Sequence, residues 1–199
     1  MPEKFSFPVL VESSDDQDIR TQLIEKITRI FSRWLCKIEE MFLWDSNDPE
    51  LMIPLLDFTS VHCHPLSSSQ SLIVYFTGRR EEGTSLLSIS RLIGAVVYQV
   101  TLPTIDIRNH PNDLLQLLRS LFLEISAMGL HCVVTGGAEL EMEPALRSVS
   151  DVVQSAGHGH SLAEYLCCDR NDAAQLRNFI LVQESGNASL FRRMPYKEA

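Results

Sequence analysis

One stretch decides the predicted fold: Ser71-Leu72-Ile73-Val74-Tyr75-Phe76-Thr77, running into Gly78-Arg79-Arg80-Glu81-Glu82-Gly83-Thr84-Ser85. A nucleotide-binding P-loop reads G-x-x-x-x-G-K-[ST] between a buried strand and a helix. Gly78 and Gly83 have the separation of that motif, and Ser85 stands where its magnesium-binding hydroxyl would be. Thr84, however, occupies the position of the lysine that reaches the β- and γ-phosphates. The sequence therefore predicts a nucleotide-binding architecture that lacks catalysis.

Composition narrows the class of protein and its partners. The chain has 199 residues, 45% of them hydrophobic and 22% charged, which fits one domain or a domain with an appended segment. Its 17 basic and 26 acidic residues give a net charge of −9, which disfavours nucleic acid or an anionic membrane as a partner. Five cysteines, no apolar core at the N-terminus and no membrane-length apolar run predict a soluble, cytoplasmic protein in a reducing compartment.

The N-terminal part predicts a long helix over residues 15–42. Apolar residues recur there at steps of three and four, as on the buried face of an amphipathic helix. They are Ile19, Leu23, Ile27, Ile30, Trp34, Ile38 and Met41. We therefore expect three parts: an N-terminal segment (1–66) that carries this helix, a P-loop-type domain (67–184) and a polar tail (185–199).

The central part predicts strands that alternate with helices. Apolar runs predict strands over 72–77, 95–101 and 130–135, and helical spacing predicts helices over 86–93, 111–129 and 144–157. A further helix is expected over 173–180. This order predicts an α/β fold, a three-layer P-loop-like domain with a mainly parallel sheet and flanking helices.

Four segments carry a resemblance to a known family. They are Gly83-Thr84-Ser85-Leu86-Leu87 with the following run to Val100, the helical stretch 114–129, Leu130-His131-Cys132-Val133-Val134-Thr135-Gly136-Gly137-Ala138-Glu139, and Ser150-Asp151-Val152-Val153-Gln154-Ser155. In order and spacing they resemble the fourth AAA+ module of dynein heavy chains, over roughly 72–180. The family places an aspartate that organises magnesium where this chain has Gly136. With Thr84 in place of the lysine, the pattern is most similar to the degenerate dynein heavy chain domain-containing proteins.

The resemblance implies a non-catalytic AAA+-like module with a structural or assembly role in a microtubule-motor, ciliary or flagellar dynein setting. Its partners would be other dynein-like modules or dynein subunits, with microtubules only indirectly, in the cytoskeleton or a cilium or flagellum. Two alternatives stay open. One is a regulatory module or small P-loop NTPase that retains ATP or ADP through Gly78, Gly83, Thr84 and Ser85. The other is an acidic protein-interaction adaptor.

No catalytic or metal-ligating residue is predicted. Two histidine clusters and a cysteine pair supply ligand types that zinc prefers. These are His62-Cys63-His64, His158-Gly159-His160 and Cys167-Cys168. Neither cluster has the two-residue gap of a zinc knuckle, so surface histidines are the favoured interpretation and no cofactor other than ATP or ADP is expected.

Overall fold

A computed structural model of the chain describes residues 4–12, 16–55, 66–77, 84–103, 111–138, 140, 146–158 and 162–194. The elements in chain order are β1 (Lys4–Glu12), α1 (Gln17–Ile30), β2 (Lys37–Asp45), β3 (Asp48–Pro54), β4 (Gln70–Thr77), β5 (Thr84–Leu92), β6 (Ala95–Pro103), α2 (Pro111–Ser126), β7 (His131–Ala138), α3 (Val149–Gly157), β8 (Tyr165–Asp169), a 3₁₀ helix (Asp172–Gln175), β9 (Phe179–Ser185) and β10 (Ala188–Arg193).

All the strands of the described residues belong to one sheet, in the order β3-β2-β4-β5-β6-β1-β7-β8-β10-β9. Every neighbouring pair is antiparallel. Each of the three parts predicted from the sequence (1–66, 67–184 and 185–199) contributes strands to this sheet. The prediction of a three-layer P-loop-like α/β fold with a mainly parallel sheet is therefore wrong.

Strand β1 lies near the middle of the sheet, between β6 and β7. Both of its faces are covered, so Phe5 to Val11 are all buried. A strand buried on both faces has a nearly continuous apolar run instead of alternation. Pro8 departs from this pattern, because proline is a residue that strands rarely contain.

The front face of the sheet, as we name it, is covered by α1 and α2. Asp16 caps α1, because its carboxylate accepts hydrogen bonds from the backbone N–H groups of Asp18 and Ile19. The apolar faces of the two helices join the main core through Leu23, Ile24, Ile27, Leu114, Leu118, Leu121, Phe122 and Ile125. Glu124 of α2 binds Lys26 of α1, with Nζ 2.6 Å from Oε2, and so links the two helices.

The back face carries α3, which covers only part of the sheet. Ser148 caps this helix by accepting a hydrogen bond from the backbone N–H of Asp151. Val149, Val152 and Val153 pack with Leu10 of β1 and other strand residues in a second apolar cluster. None of the helices within the described residues is both long and apolar enough to cross a membrane.

Several element predictions are confirmed and others are wrong. The strands at 72–77, 95–101 and 130–135 are confirmed as β4, β6 and β7, and the described parts of the helices at 111–129 and 144–157 as α2 and α3. The helix over 15–42 is wrong beyond Ile30, because Lys37–Asp45 form β2. The helices over 86–93 and 173–180 are wrong as well: the first is β5, and the second is the 3₁₀ helix followed by the start of β9.

Candidate functional site: an open sheet edge

Of the four residues predicted to hold a nucleotide, the two that the structure describes begin a strand and not a helix. Gly78 and Gly83 lie outside the described residues. Thr84 and Ser85 begin β5, which pairs antiparallel with β4 so that Phe76 lies opposite Ser85. Ser85 is buried, and alternation along β5 places it on the same face as the core residue Leu87. Since a strand follows the glycine segment, no helix N-terminus is available there to bind phosphate.

Gly136, which stands where the dynein family has its magnesium-organising aspartate, has a packing role in this protein. It lies in β7 beneath α2, where an added Cβ would come 3.2 Å from both Leu118 Cδ2 and Phe5 Cε1. This separation is tighter than ordinary van der Waals contact, so a side chain at position 136 would require the Leu118 and Phe5 side chains to move by a few tenths of an ångström. The absence of a Cβ thus lets α2 approach the sheet closely.

The candidate metal ligands do not form a site among the described residues. His62, Cys63, His64 and His160 lie outside them. Within the described part of the chain, no three histidine, cysteine or acidic side chains are grouped so that they could hold a metal ion. Cys132, Cys167 and Cys168 are buried. Burial raises the pKa of the Cys132 and Cys167 thiols to about 12, so both are protonated and weakly nucleophilic at neutral pH.

A polar cluster that sequence analysis did not identify joins β1, β7 and the 3₁₀ helix. His131 Nδ1 lies 2.9 Å from Glu12 Oε2, and His131 Nε2 lies 2.9 Å from Asp172 Oδ2. The other Glu12 oxygen accepts a hydrogen bond of 2.6 Å from the backbone N–H of Val149, at the start of α3. Both ring nitrogens are thus occupied by carboxylates within the protein. We interpret the cluster as a structural connection between the sheet, α3 and the 3₁₀ helix.

A groove of about 560 Å³ lies over strands β4 to β6 and is rich in hydroxyl groups. The Ser71 and Ser90 hydroxyls are hydrogen-bonded to each other at 2.7 Å. Among the described residues that line it, Arg91 is the one ionisable side chain. A serine nucleophile needs an adjacent general base, which the described lining does not supply.

The two outer strands of the sheet expose unusual amounts of apolar surface. On β9, three consecutive aliphatic side chains, Ile180, Leu181 and Val182, are 49%, 52% and 42% exposed. On β3, Leu51, Met52 and Ile53 are also exposed. Outer strands also present unpaired backbone groups, and proteins usually protect them. These two edges are therefore the candidate interaction surfaces.

Comparisons with known proteins do not assign a family. No family model and no curated protein matches the chain. Among solved structures, a Pseudomonas aeruginosa T6SS protein, PA0821, is similar to it over 96% of the chain, with 11% sequence identity and a TM-score of 0.45. The chain spans 65% of the length of that structure.

The sequence contains a signal for the β9 edge in the region where a helix over 173–180 is predicted. Phe179-Ile180-Leu181-Val182 is a run of residues that favour strands, and five residues that include Gly186 separate it from the mainly apolar run 188–191. Such a pair of runs around a glycine predicts a β-hairpin. Gly186 has a φ of +59°, which suits the tight turn between β9 and β10.

Proposed function

We propose that the protein is a non-catalytic protein-interaction module that accepts an extended partner segment at the outer edge of β9. One observation carries this proposal: among the described residues, β9 is the last strand of the sheet, and it exposes Ile180, Leu181 and Val182 side by side. The proposal develops the adaptor alternative from the sequence. In strand addition, backbone hydrogen bonds supply affinity and side-chain contacts supply specificity.

The backbone pattern of β9 supports this use. Met194 N–H donates to Asn178 C=O at 2.9 Å, so position 178 faces β10. Arg193, opposite Phe179, donates its N–H to Glu164 C=O on the other side of β10. Because the direction of the peptide groups alternates along an antiparallel pair, those of Phe179 and Leu181 face outward. A partner strand would find donors and acceptors at these two positions.

The opposite edge of the sheet is less suited to pairing. Strand β3 contains Pro49 and Pro54, which have no backbone N–H, and an irregular register opposite Trp44 and Asp45. Prolines and bulges are common protections of edge strands. Strand β9 contains no proline, and its bulge falls after Leu181. The first arm of β9, Phe179–Leu181, is therefore the regular part of the open edge.

The energy available at this edge is sufficient for a reversible complex. Fully burying an exposed Val, Leu or Ile side chain contributes about 1.5–3 kcal/mol, so burying three half-exposed ones contributes roughly 2–4 kcal/mol. Each new backbone hydrogen bond adds about 0.5–1.5 kcal/mol. Such totals are partly offset by the cost of association, which favours a transient interaction over a permanent one.

Amide hydrogen exchange tests whether the edge is open. In the free protein, the N–H groups of Phe179 and Leu181 should exchange much faster than that of Ile180, which lies opposite Arg192 and faces β10. Slow exchange at both outward positions would show that another part of the protein covers the edge, and would refute the proposal.

A pair of variants tests the backbone contribution. Leu181→Pro and Leu181→Ala both remove the leucine side chain, but proline also removes the outward N–H. If a partner strand pairs with β9, the proline variant should bind it more weakly than the alanine variant. Equal binding by the two variants would exclude pairing at this position. Far-UV circular dichroism and thermal midpoints establish that both variants are folded.

Nucleotide binding and a dynein-related role stay predictions that rest on sequence resemblance. Under the first, ATP or ADP at 100 times its Kd would stabilise the fold by about 2.7 kcal/mol. We expect no such shift in thermal unfolding, because β5 follows the glycine segment. Under the second, the segment bound by β9 would belong to a dynein subunit or dynein-like module, in the cytoplasm, the cytoskeleton or a cilium. Co-purification with purified dynein subunits tests that prediction.

A further inference from the structure

We infer that the extended segment accepted by β9 is the β9 strand of a second copy of this chain, paired antiparallel across a two-fold axis. This inference rests on the proposed function and names its partner. It follows from the order of charged and apolar residues along the edge, which is complementary to its own reverse.

The outer edge at β9 has a basic end, an apolar middle and an acidic end. Arg177 precedes the strand, Ile180, Leu181 and Val182 form its exposed middle, and Glu184 lies near its C-terminal end. Two antiparallel copies of this edge place each basic end beside an acidic end, and apolar side chains beside apolar side chains. A two-fold interface joins the same patch of two copies, so it requires this kind of self-complementarity.

The backbone groups of β9 favour a register with the two-fold axis at Ile180. Phe179 then lies opposite the partner's Leu181, and the axis generates the same pair a second time. Both residues direct their peptide groups outward, so each such pair exchanges both of its N–H···O bonds. The Ile180 side chains of the two copies lie opposite one another, in the type of antiparallel pair whose side chains approach most closely.

The bulge in β9 brings the charged ends into the same register. On the β10 side the register skips Val182, which is the extra residue of the bulge. The same skip on the outer side places Glu184 opposite the partner's Arg177, on the same face of the paired strands. Pairing already extends beyond β9 toward this arginine, because Asn178 C=O accepts a hydrogen bond from Met194 N–H. The two-fold axis thus produces two arginine–glutamate contacts, one at each end.

Both charged side chains are available for these contacts. Arg177 is exposed, and its guanidinium forms no ion pair with the described residues. Glu184 is also exposed, and its contacts with Arg170 at 3.3 Å and with the Ser189 hydroxyl at 3.5 Å both use Oε1. Its Oε2 atom is left for a second arginine. Opposite charges that face one another across a strand pair are stabilising.

Sedimentation equilibrium over a series of protein concentrations, up to the high micromolar range, measures the association. We expect a weak, reversible monomer–dimer equilibrium, because one strand edge buries much less surface than a standard interface. Each copy has a net charge of −9, so two copies repel at long range. At about 0.15 M salt this repulsion is screened beyond about 8 Å, and the measurement is made at that ionic strength.

Two charge reversals test the arginine–glutamate contacts. Arg177→Glu and Glu184→Arg should each weaken dimerisation by about tenfold or more, because like charges then face one another. An equimolar mixture of the two variants should regain the association, because both contacts in the mixed dimer join opposite charges. Lys37→Glu is the control: it changes the net charge as Arg177→Glu does, near the opposite edge of the sheet, and should leave dimerisation unchanged. Thermal midpoints establish that all the variants are folded.

Amide exchange at Phe179 and Leu181, compared at low and high protein concentration, separates the inference from the proposed function. Exchange that slows as the dimer forms supports both. Fast exchange at every concentration, with a monomer throughout, would overturn the second copy and leave the edge open to a foreign segment. Slow exchange at every concentration, including dilute monomer, would overturn both proposals. Association that neither reversal weakens, a mixture that fails to associate, or assemblies larger than a dimer would overturn the inference alone.

Discussion

Replacing His131 with glutamine should destabilise the protein more at acidic than at alkaline pH. Partial burial of the ring disfavours its charged form, but the hydrogen bonds to Glu12 and Asp172 outweigh that effect and raise the pKa of His131. Because the folded-state pKa is raised above the unfolded value of about 6.5, the stabilisation is fully present below that value. It is lost as the pH rises through the folded-state pKa.

The magnitude follows from the exposure of the three side chains. His131 is 46% exposed, and its partners Glu12 and Asp172 are 32% and 24% exposed, so solvent screens both ion pairs. Partly exposed pairs contribute about 0.2–1 kcal/mol each, and two of them give roughly 1 kcal/mol. For a chain of this length that corresponds to a shift of about 2–4 °C in the thermal midpoint.

Urea unfolding followed by far-UV circular dichroism, at about pH 5.5 and pH 8.5, measures this difference. The free energy of unfolding of His131→Gln should fall below that of the wild type by roughly 1 kcal/mol at the lower pH, and by less at the higher pH. A double-mutant cycle with Asp172→Asn isolates one of the two pairs. A loss that is equal at both pH values, or larger at pH 8.5, would refute the assignment of a charged His131 to this connection.

Two further predictions concern the core. Leu118→Ala should cost about 2–5 kcal/mol in unfolding free energy, because Leu118 is fully buried over Gly136 and its truncation leaves a cavity in the core. Leu123→Ala on the exposed side of the same helix is the control, and calorimetry showing equal losses would contradict the packing of α2. In a thiol-labelling time course resolved by mass spectrometry, the exposed Cys36 should react before the other three described cysteines. The described cysteines expected to react only after unfolding are Cys132, Cys167 and Cys168. Rapid labelling of any of these three in the native protein would contradict their burial.

Local signals in the sequence were sufficient for elements with clear ends. Helix α2 could be predicted because its apolar residues recur with helical spacing and Gly129, with a φ of +77°, follows its end. Helix α3 ends at Gly157 as predicted, but its cap is Ser148 and it begins at Val149, later than the predicted start at Pro144. These features depend on neighbours within one or two turns, which a single sequence contains.

Strand β5 was misinterpreted because its apolar residues fit two periods. Leu86, Leu87, Ile89 and Leu92 suit one face of a short helix, and they also suit a strand. Ser88 and Ser90 alternate with Leu87 and Ile89, and this period of two is what the structure has. The glycine segment before it favoured a P-loop, and so the helix. Pairing decides for the strand: β5 pairs with β4 before it and with β6 after it, where Leu92 lies opposite Ala95 across Ile93-Gly94. The turn signal at Gly94 was interpreted as the end of a helix.

The relative direction of the strands, parallel or antiparallel, was predicted wrongly. Helices that alternate with apolar runs are typical of parallel sheets, and three of the predicted strands were correct. The sheet became antiparallel because segments predicted as helix or tail, at 37–45, 84–92 and 188–193, contribute strands to it. The candidate site was missed for the same reason, since β9 is an edge only when β10 pairs with its inner side.

The position of the His131 cluster gives the open edge a physical basis. Asp172 ties the 3₁₀ helix to β7, and Leu176 packs into the apolar cluster under α3, so the chain is fixed to the sheet just before β9 begins. Phe179 is buried in the same cluster. The first arm of β9 is therefore held in a strand conformation before any partner arrives. Such preorganisation lowers the ordering cost of association. Because the contact area at this edge is modest, a complex can form only if little conformational entropy is lost on binding. The packing of Leu176 and Phe179 orders the chain at β9 in the free protein, and so removes most of that loss.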